Sequence, residues 1–159
     1  MYLPLLSSFA VNAAAAATVP GTRRWLQPAE MMILFFTAFI FHQITFYLVS
    51  LNASWIVQNV DQPGFWTLEL YRLFSIPAVY VWIFAGYHAK GTPIFKLLLT
   101  LAAFALLTAL EGLFEHWGLL AFAHWNLTAS FLRYAFIWLI VSVLYAVFRR
   151  LRRKEEFAS

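Results

Sequence analysis

The chain has 159 residues, of which 63% are hydrophobic and 11% charged, with mean hydropathy +0.74. A soluble domain carries about 25% charged residues, so too few polar side chains exist to cover a water-facing surface, and the composition predicts an all-α polytopic membrane protein. The formal charge of +4 does not imply a nucleic-acid partner, because five of the eleven basic residues form one run directly after an apolar stretch, Arg149, Arg150, Arg152, Arg153 and Lys154. No cysteine is present, which excludes a disulfide framework and a thiolate metal site.

In chain order, residues 1–22 form an Ala-rich segment whose stretch Leu3–Val19 lacks the basic start of a secretory signal peptide. Its high helix propensity and moderate hydrophobicity are read as a helix lying on the inner membrane surface, broken at Pro20-Gly21, with a fifth, marginal span as the alternative. Residues 23–150 form the membrane domain. Four apolar stretches near residues 30–51, 67–88, 95–117 and 127–149 each have the ~20 residues needed to cross ~30 Å of hydrocarbon. The connections are short, so consecutive helices are expected as antiparallel neighbours in a four-helix bundle. Residues 151–159 are read as a basic tail.

Orientation follows from Lys and Arg. Arg23 and Arg24 precede the first span, Lys90 and Lys96 flank the second loop, and the run of five follows the fourth. Two, two and five make nine of eleven on one side, which places both termini in the cytoplasm of a multi-pass protein. Trp55, Trp66, Trp117 and Trp125 mark the outer boundary, and Trp25 and Tyr87 the inner one.

Ionisable residues inside spans are costly and usually face the bundle interior. Arg72, Glu111 and Arg133 each lie about five residues outward of the midpoint of the second, third and fourth spans, hence at one depth, about 7–8 Å from the bilayer centre. Glu69 stands one turn above Arg72, Glu115 one turn above Glu111, and His42 just below the layer. Thr108, Glu111 and Glu115 share a stripe on the third helix, as do Asn126, Ser130 and Arg133 on the fourth, so the polar network is expected to join Glu69, Arg72, Glu111, Glu115, Arg133, Asn126 and His42. Three carboxylates against two arginines leave one negative charge unbalanced, so one carboxyl is expected to carry a proton or meet a cation or His. Buried ion pairs that fix helix register explain the layer equally well.

Glu111-x-x-x-Glu115-His116 with His124 resembles a metal-ligand set superficially, but neither paired Glu-x-x-His nor His-Glu-x-x-His is present, and no metal is assigned. No cofactor is specified. His88 is read as loop surface. Pro77 is expected to kink the second span and free a carbonyl near residue 73. A small-residue face, Ala102, Ala105, Ala109 and Gly112, suits close helix packing.

The runs Thr67-Leu68-Glu69-Leu70-Tyr71…Pro77, Glu111…Gly118 and Trp125-Asn126…Ser130 resemble an uncharacterised family of small four-span membrane proteins common in spore-forming Firmicutes, over residues 23–150. The resemblance implies a four-helix membrane fold in a bacterial plasma membrane and draws attention to Glu69, Glu111 and Asn126. It implies no activity. Arg133 and Tyr134 depart from the pattern, in a region associated with an acidic residue.

Three functional classes fit. An accessory or scaffold membrane subunit, partnered by the bilayer and by other subunits or its own copies, predicts a paired polar layer with no cavity. A membrane-embedded enzyme on a lipid or isoprenoid predicts a pocket lined by Glu111 or Glu115 as general acid, with Tyr134 and Trp138. A small oligomeric transporter predicts internal repeats, and none is detected.

Overall fold

The computed structural model describes residues 3–58, 61–89 and 91–158. It is helical throughout, apart from one short ribbon. Helix α1 spans Leu3–Thr18 and ends in a 3-10 turn, Val19–Arg24. Helix α2, Pro28–Tyr47, continues through a π turn to Asn52. Helices α3, Gln62–Leu70, and α4, Ile76–Ala89, are joined by a π turn at Tyr71–Ser75. Helix α5 spans Pro93–His116 and α6 Leu127–Ala158. Strands β1, Ile56–Gln58, and β2, Leu120–Phe122, pair antiparallel, with Val57 opposite Ala121.

Four helical segments are long and apolar enough to cross a membrane: Pro28–Asn52, Pro63–Ala89, Pro93–His116 and Leu127–Lys154. They match the four expected stretches, and their outer faces carry large apolar side chains such as Phe36, Leu98, Leu106 and Phe136. The chain is a multi-pass membrane protein. The basic run after the fourth span does not leave as a separate tail. It continues α6, as a run of Arg, Lys and Glu readily does.

The second span is the centre of the molecule. Its most apolar window is 72% buried, against 28% for each of the other three. Helices α2 and α5 flank it, α1 packs along its first half, and α6 packs against α2 and α5. Ser8 Oγ donates to the Thr67 carbonyl at 3.2 Å, and Ser75 Oγ donates to Asn12 Oδ1 at 3.0 Å. These contacts advance together along both chains, so α1 runs parallel to the second span. It begins at the end that carries the α2–α3 connection. A helix that buries Ser8 and Asn12 against a span lies along the bundle, an arrangement closer to the alternative of a fifth span than to a surface helix. The expected break at Pro20-Gly21 falls in the 3-10 turn.

Pro77 acts through the π turn before it. Proline has no N–H and its ring crowds the carbonyl four residues back, and the wider turn at Tyr71–Ser75 absorbs this misfit. The same turn buries Tyr71, Arg72 and Ser75 together.

At the end that carries the α2–α3 connection, α5 stops at Trp117 with Gly118 at φ +71°, where a side chain would be strained. Gly118 N donates to the Glu115 carbonyl and Leu119 N to that of Phe114. The reversal delivers β2 onto β1, and buried Ile56, Leu119 and Leu120 close that end of the bundle.

Candidate functional site

Beneath this ribbon lies the charged layer. Arg133 on α6 pairs with the Glu111 carboxylate on α5, and Tyr134 O–H donates to the same Oε1 at 2.6 Å. Tyr71 O–H donates to the Leu107 carbonyl at 3.1 Å, and its oxygen lies 3.2 Å from that of Tyr134. Arg72 pairs with Glu69 at 2.7 Å and donates from Nε to the Leu68 carbonyl.

The two ion pairs meet across an aromatic ring. Phe46 on α2 has the Arg72 guanidinium 4.2 Å from its centroid and that of Arg133 at 5.6 Å. Attraction of each cation to the π face lets two like charges share one ring. One turn below, His42 is fully buried and lies parallel to the Tyr134 ring, with centroids 5.9 Å apart.

Sequence and structure agree on part of the network. Arg72, Glu111 and Arg133 meet at one level, with Glu69 paired to Arg72 from the turn above and His42 buried one turn below. Glu115 does not. It sits in the last turn of α5 and is exposed. Asn126 is also exposed, and its Oδ1 accepts from Ala129 N at 2.8 Å, capping the first turn of α6. Of its expected stripe, Ser130 and Arg133 are buried, with Ser130 Oγ accepting from Trp125 Nε1 at 2.8 Å. The unbalanced carboxylate therefore disappears: Glu69 and Glu111 face Arg72 and Arg133, two against two. The premise for a proton or cation on a leftover carboxyl goes with it.

Several atoms of the layer have no partner among the described residues: both His42 nitrogens, Arg72 Nη1, Glu111 Oε2, and Arg133 Nε and Nη1. His42, Arg72 and Glu111 line a cavity of about 10 Å³, with Phe46, Tyr71 and Leu120. That is room for about one water molecule, and not for a substrate. Among the described residues no three His, Asp or Glu side chains are grouped to hold a metal.

A second polar cluster, at the other end of the bundle, was not anticipated. Glu30, in the first turn of α2, accepts from Gln27 N at 3.0 Å and pairs with Arg149 of α6 at 3.2 Å. Tyr145 O–H lies 3.3 Å from Glu30 Oε1 and 3.4 Å from His88 Nε2, and Arg149 Nη1 lies 2.7 Å from that same nitrogen. His88 Nδ1 is 2.8 Å from the Phe84 carbonyl, which can only accept, so Nδ1 carries the proton and Nε2 accepts from Arg149. His88 is exposed, as expected, but it belongs to α4 and not to a loop, and it joins α4 to α6. The signal was in the sequence: Glu30 opens the first span and Arg149 closes the fourth, and antiparallel neighbours bring those positions level.

Glu30→Ala is expected to cost about 1–3 kcal/mol, because a buried acceptor of three groups is lost. Glu30→Gln keeps an acceptor and should cost less. Thermal unfolding in detergent measures both, and equal losses would show that charge, not hydrogen bonding, carries the contact.

Compared with protein-family models, with curated proteins and with solved structures, the chain matches none.

Proposed function

We propose that the protein is a non-enzymatic accessory or scaffold subunit of a membrane, in which the charged layer fixes the register of the helices. The observation that carries this reading is the charge pairing of the layer. Each carboxylate meets its own arginine, both arginines lie against Phe46, and the cavity beside Arg72 and Glu111 is about 10 Å³. A buried polar layer of this kind specifies one arrangement of helices over its alternatives. The partner-facing surface is on α5, where Ala102, Ala105 and Ala109 are exposed along one face and admit close approach of another helix.

Orientation belongs to the same proposal. Arg23, Arg24, Lys96 and the basic end of α6 share one end of the molecule, as the Glu30–Arg149 pair requires, and that end is cytoplasmic. Helix α1 starts at the other end, so it acts as a fifth membrane-embedded helix with its N-terminus outside. The membrane is a bacterial plasma membrane, following the resemblance to small four-span proteins of spore-forming Firmicutes.

A second reading keeps one supporting observation. An apolar crevice of about 200 Å³ between α1 and α5 is lined by Ser8, Val11, Tyr71, Leu110, Phe114 and Trp117. It fits a lipid or isoprenoid chain next to Tyr71, whose hydroxyl leads through Tyr134 to Glu111. Cysteine crosslinking separates the two readings cleanly, since the chain has no native cysteine. Ala105→Cys in native membranes is expected to give one protein adduct of defined mass, while the purified protein leaves membrane lipids unaltered. A Glu111-dependent change in lipid composition, with no adduct at position 105, would replace the scaffold by the enzyme.

A further inference from the structure

The cytoplasmic end of α1 holds a cleft that the charged layer does not touch. It measures about 550 Å³ and is lined by Ala14, Thr18, Gly21, Arg24, Trp25 and Trp82, within the range of small-molecule sites. Thr22 also contributes, but the hydroxyls of both threonines are turned back onto carbonyls of their own chain, Thr18 to Ala14 at 2.7 Å and Thr22 to Val19 at 2.6 Å. The walls are therefore methyl groups and two indoles, and the charge in the cleft is the Arg24 guanidinium. Arg24 is exposed and has no acidic partner among the described residues.

Gly21 adds a second observation. A Cβ built there meets nothing within 4 Å, and its backbone is not in the left-handed region. Neither packing nor conformation requires glycine at this position. Gly21 faces open space in the cleft, which a side chain longer than a methyl group would enter.

We propose that this cleft binds one anionic phospholipid from the adjoining leaflet. The planar guanidinium of Arg24 holds the phosphate through paired hydrogen bonds. Trp25 and Trp82 stand at the ester level, where indoles partition in a bilayer. The acyl chain runs along Ala14, in the groove where α1 meets the second span. Arg23 and the basic end of α6 raise the local concentration of anionic lipid. Free phosphate shares the headgroup chemistry but gains nothing from the apolar wall. The inference goes beyond the scaffold reading and depends neither on the charged layer nor on which face is cytoplasmic.

Native mass spectrometry of the full chain in detergent, titrated with phosphatidylglycerol, phosphatidylcholine or inorganic phosphate, tests it. The wild type should retain one phosphatidylglycerol in preference to phosphatidylcholine. Arg24→Gln should reduce retention about fivefold. Gly21→Leu, which leaves the charge untouched, should reduce it comparably, with Ala14→Trp as a second blocking variant should Gly21→Leu unfold. Arg153→Gln, on the same face but outside the cleft, should leave retention nearly unchanged. Equal losses for Arg24→Gln and Arg153→Gln would reduce the effect to diffuse surface charge and overturn the site. So would folded blocking variants that still retain lipid, or inorganic phosphate that binds alone or displaces the lipid.

Discussion

Glu111→Ala is expected to destabilise the protein by about 3–5 kcal/mol, the cost of stranding a buried charge. Arg133 is 6% exposed and belongs to a helix flanked by α2 and α5. Without Glu111 its remaining attractions are the ring faces of Phe46, Tyr134 and Trp125, at 5.6, 5.2 and 5.9 Å. Each contributes about 0.5–2 kcal/mol, too little to stand in for a carboxylate. Tyr134 also loses the acceptor of its hydroxyl proton. Glu69→Ala should cost less, because the Glu69 side chain is 20% exposed and water can reach Arg72. Glu115→Ala should change stability by no more than about 0.5 kcal/mol, as for an ordinary surface site.

The decisive comparison is the double variant. Replacing both members of a buried pair with apolar residues of similar volume is often neutral or better. Glu111→Leu with Arg133→Met should therefore recover most of what Glu111→Ala loses, as read from thermal or SDS-induced unfolding in detergent. Failure to recover would mean that Arg133 serves something other than Glu111. Equal losses for Glu115→Ala and Glu111→Ala would contradict the placement of Glu115 at the surface.

The membrane spans and the ion-pair layer were legible in the sequence for different reasons. Span length is dictated by the thickness of hydrocarbon, so four apolar stretches could be placed to within a few residues. The shared depth of Arg72, Glu111 and Arg133 could be counted, because rise per residue is constant. Helical phase carried further for Glu111 than for Glu115. The stripe still joins them, but Glu115 sits in the last turn of α5, at the exposed end of the helix. Asn126 misled for a related reason: at a helix start an amide side chain is drawn to the free backbone N–H groups of the first turn, away from the interior.

Other features depend on partners that no local pattern specifies. Residues 56–58 and 120–122 pair only because α2 and α5 end at the same level. Tyr71 and Tyr134 carried no motif, yet their hydroxyls connect Leu107 to Glu111. Hydrophobicity alone argues against insertion of α1, because Ser8 and Asn12 count against it. Paired with the Thr67 carbonyl and Ser75, those atoms are no longer exposed to lipid and no longer oppose burial.

That pairing leads to the prediction with an all-or-none readout. A cysteine introduced at Tyr2 should be labelled from outside intact cells, together with one at Asp61, whereas cysteines at Gly91 and Arg153 should be labelled only after permeabilisation. Counting basic residues does not distinguish this arrangement from one with the N-terminus inside. Arg23 and Arg24 lie after α1 and stay on the side of Lys96 and the basic end of α6 either way, so the nine-to-two split is preserved. What separates the two is the path of α1. At about 1.5 Å per residue its sixteen residues cover about 24 Å, most of the hydrocarbon thickness. Its contacts with Thr67 and Ser75 set it parallel to the second span, which starts at the end opposite the basic run of α6. Breaking those contacts should release it. Asn12→Leu combined with Ser75→Ala removes the hydrogen bond while raising apolarity, so insertion should survive and Tyr2→Cys should remain external. Asn12→Lys with Ser75→Lys places two like charges in the groove and should expel the helix to the cytoplasmic surface. Labelling at Tyr2→Cys would then require permeabilisation while Asp61→Cys stayed accessible. Internal labelling of Tyr2→Cys in the otherwise unaltered chain would restore the surface helix and refute the fifth membrane-embedded helix.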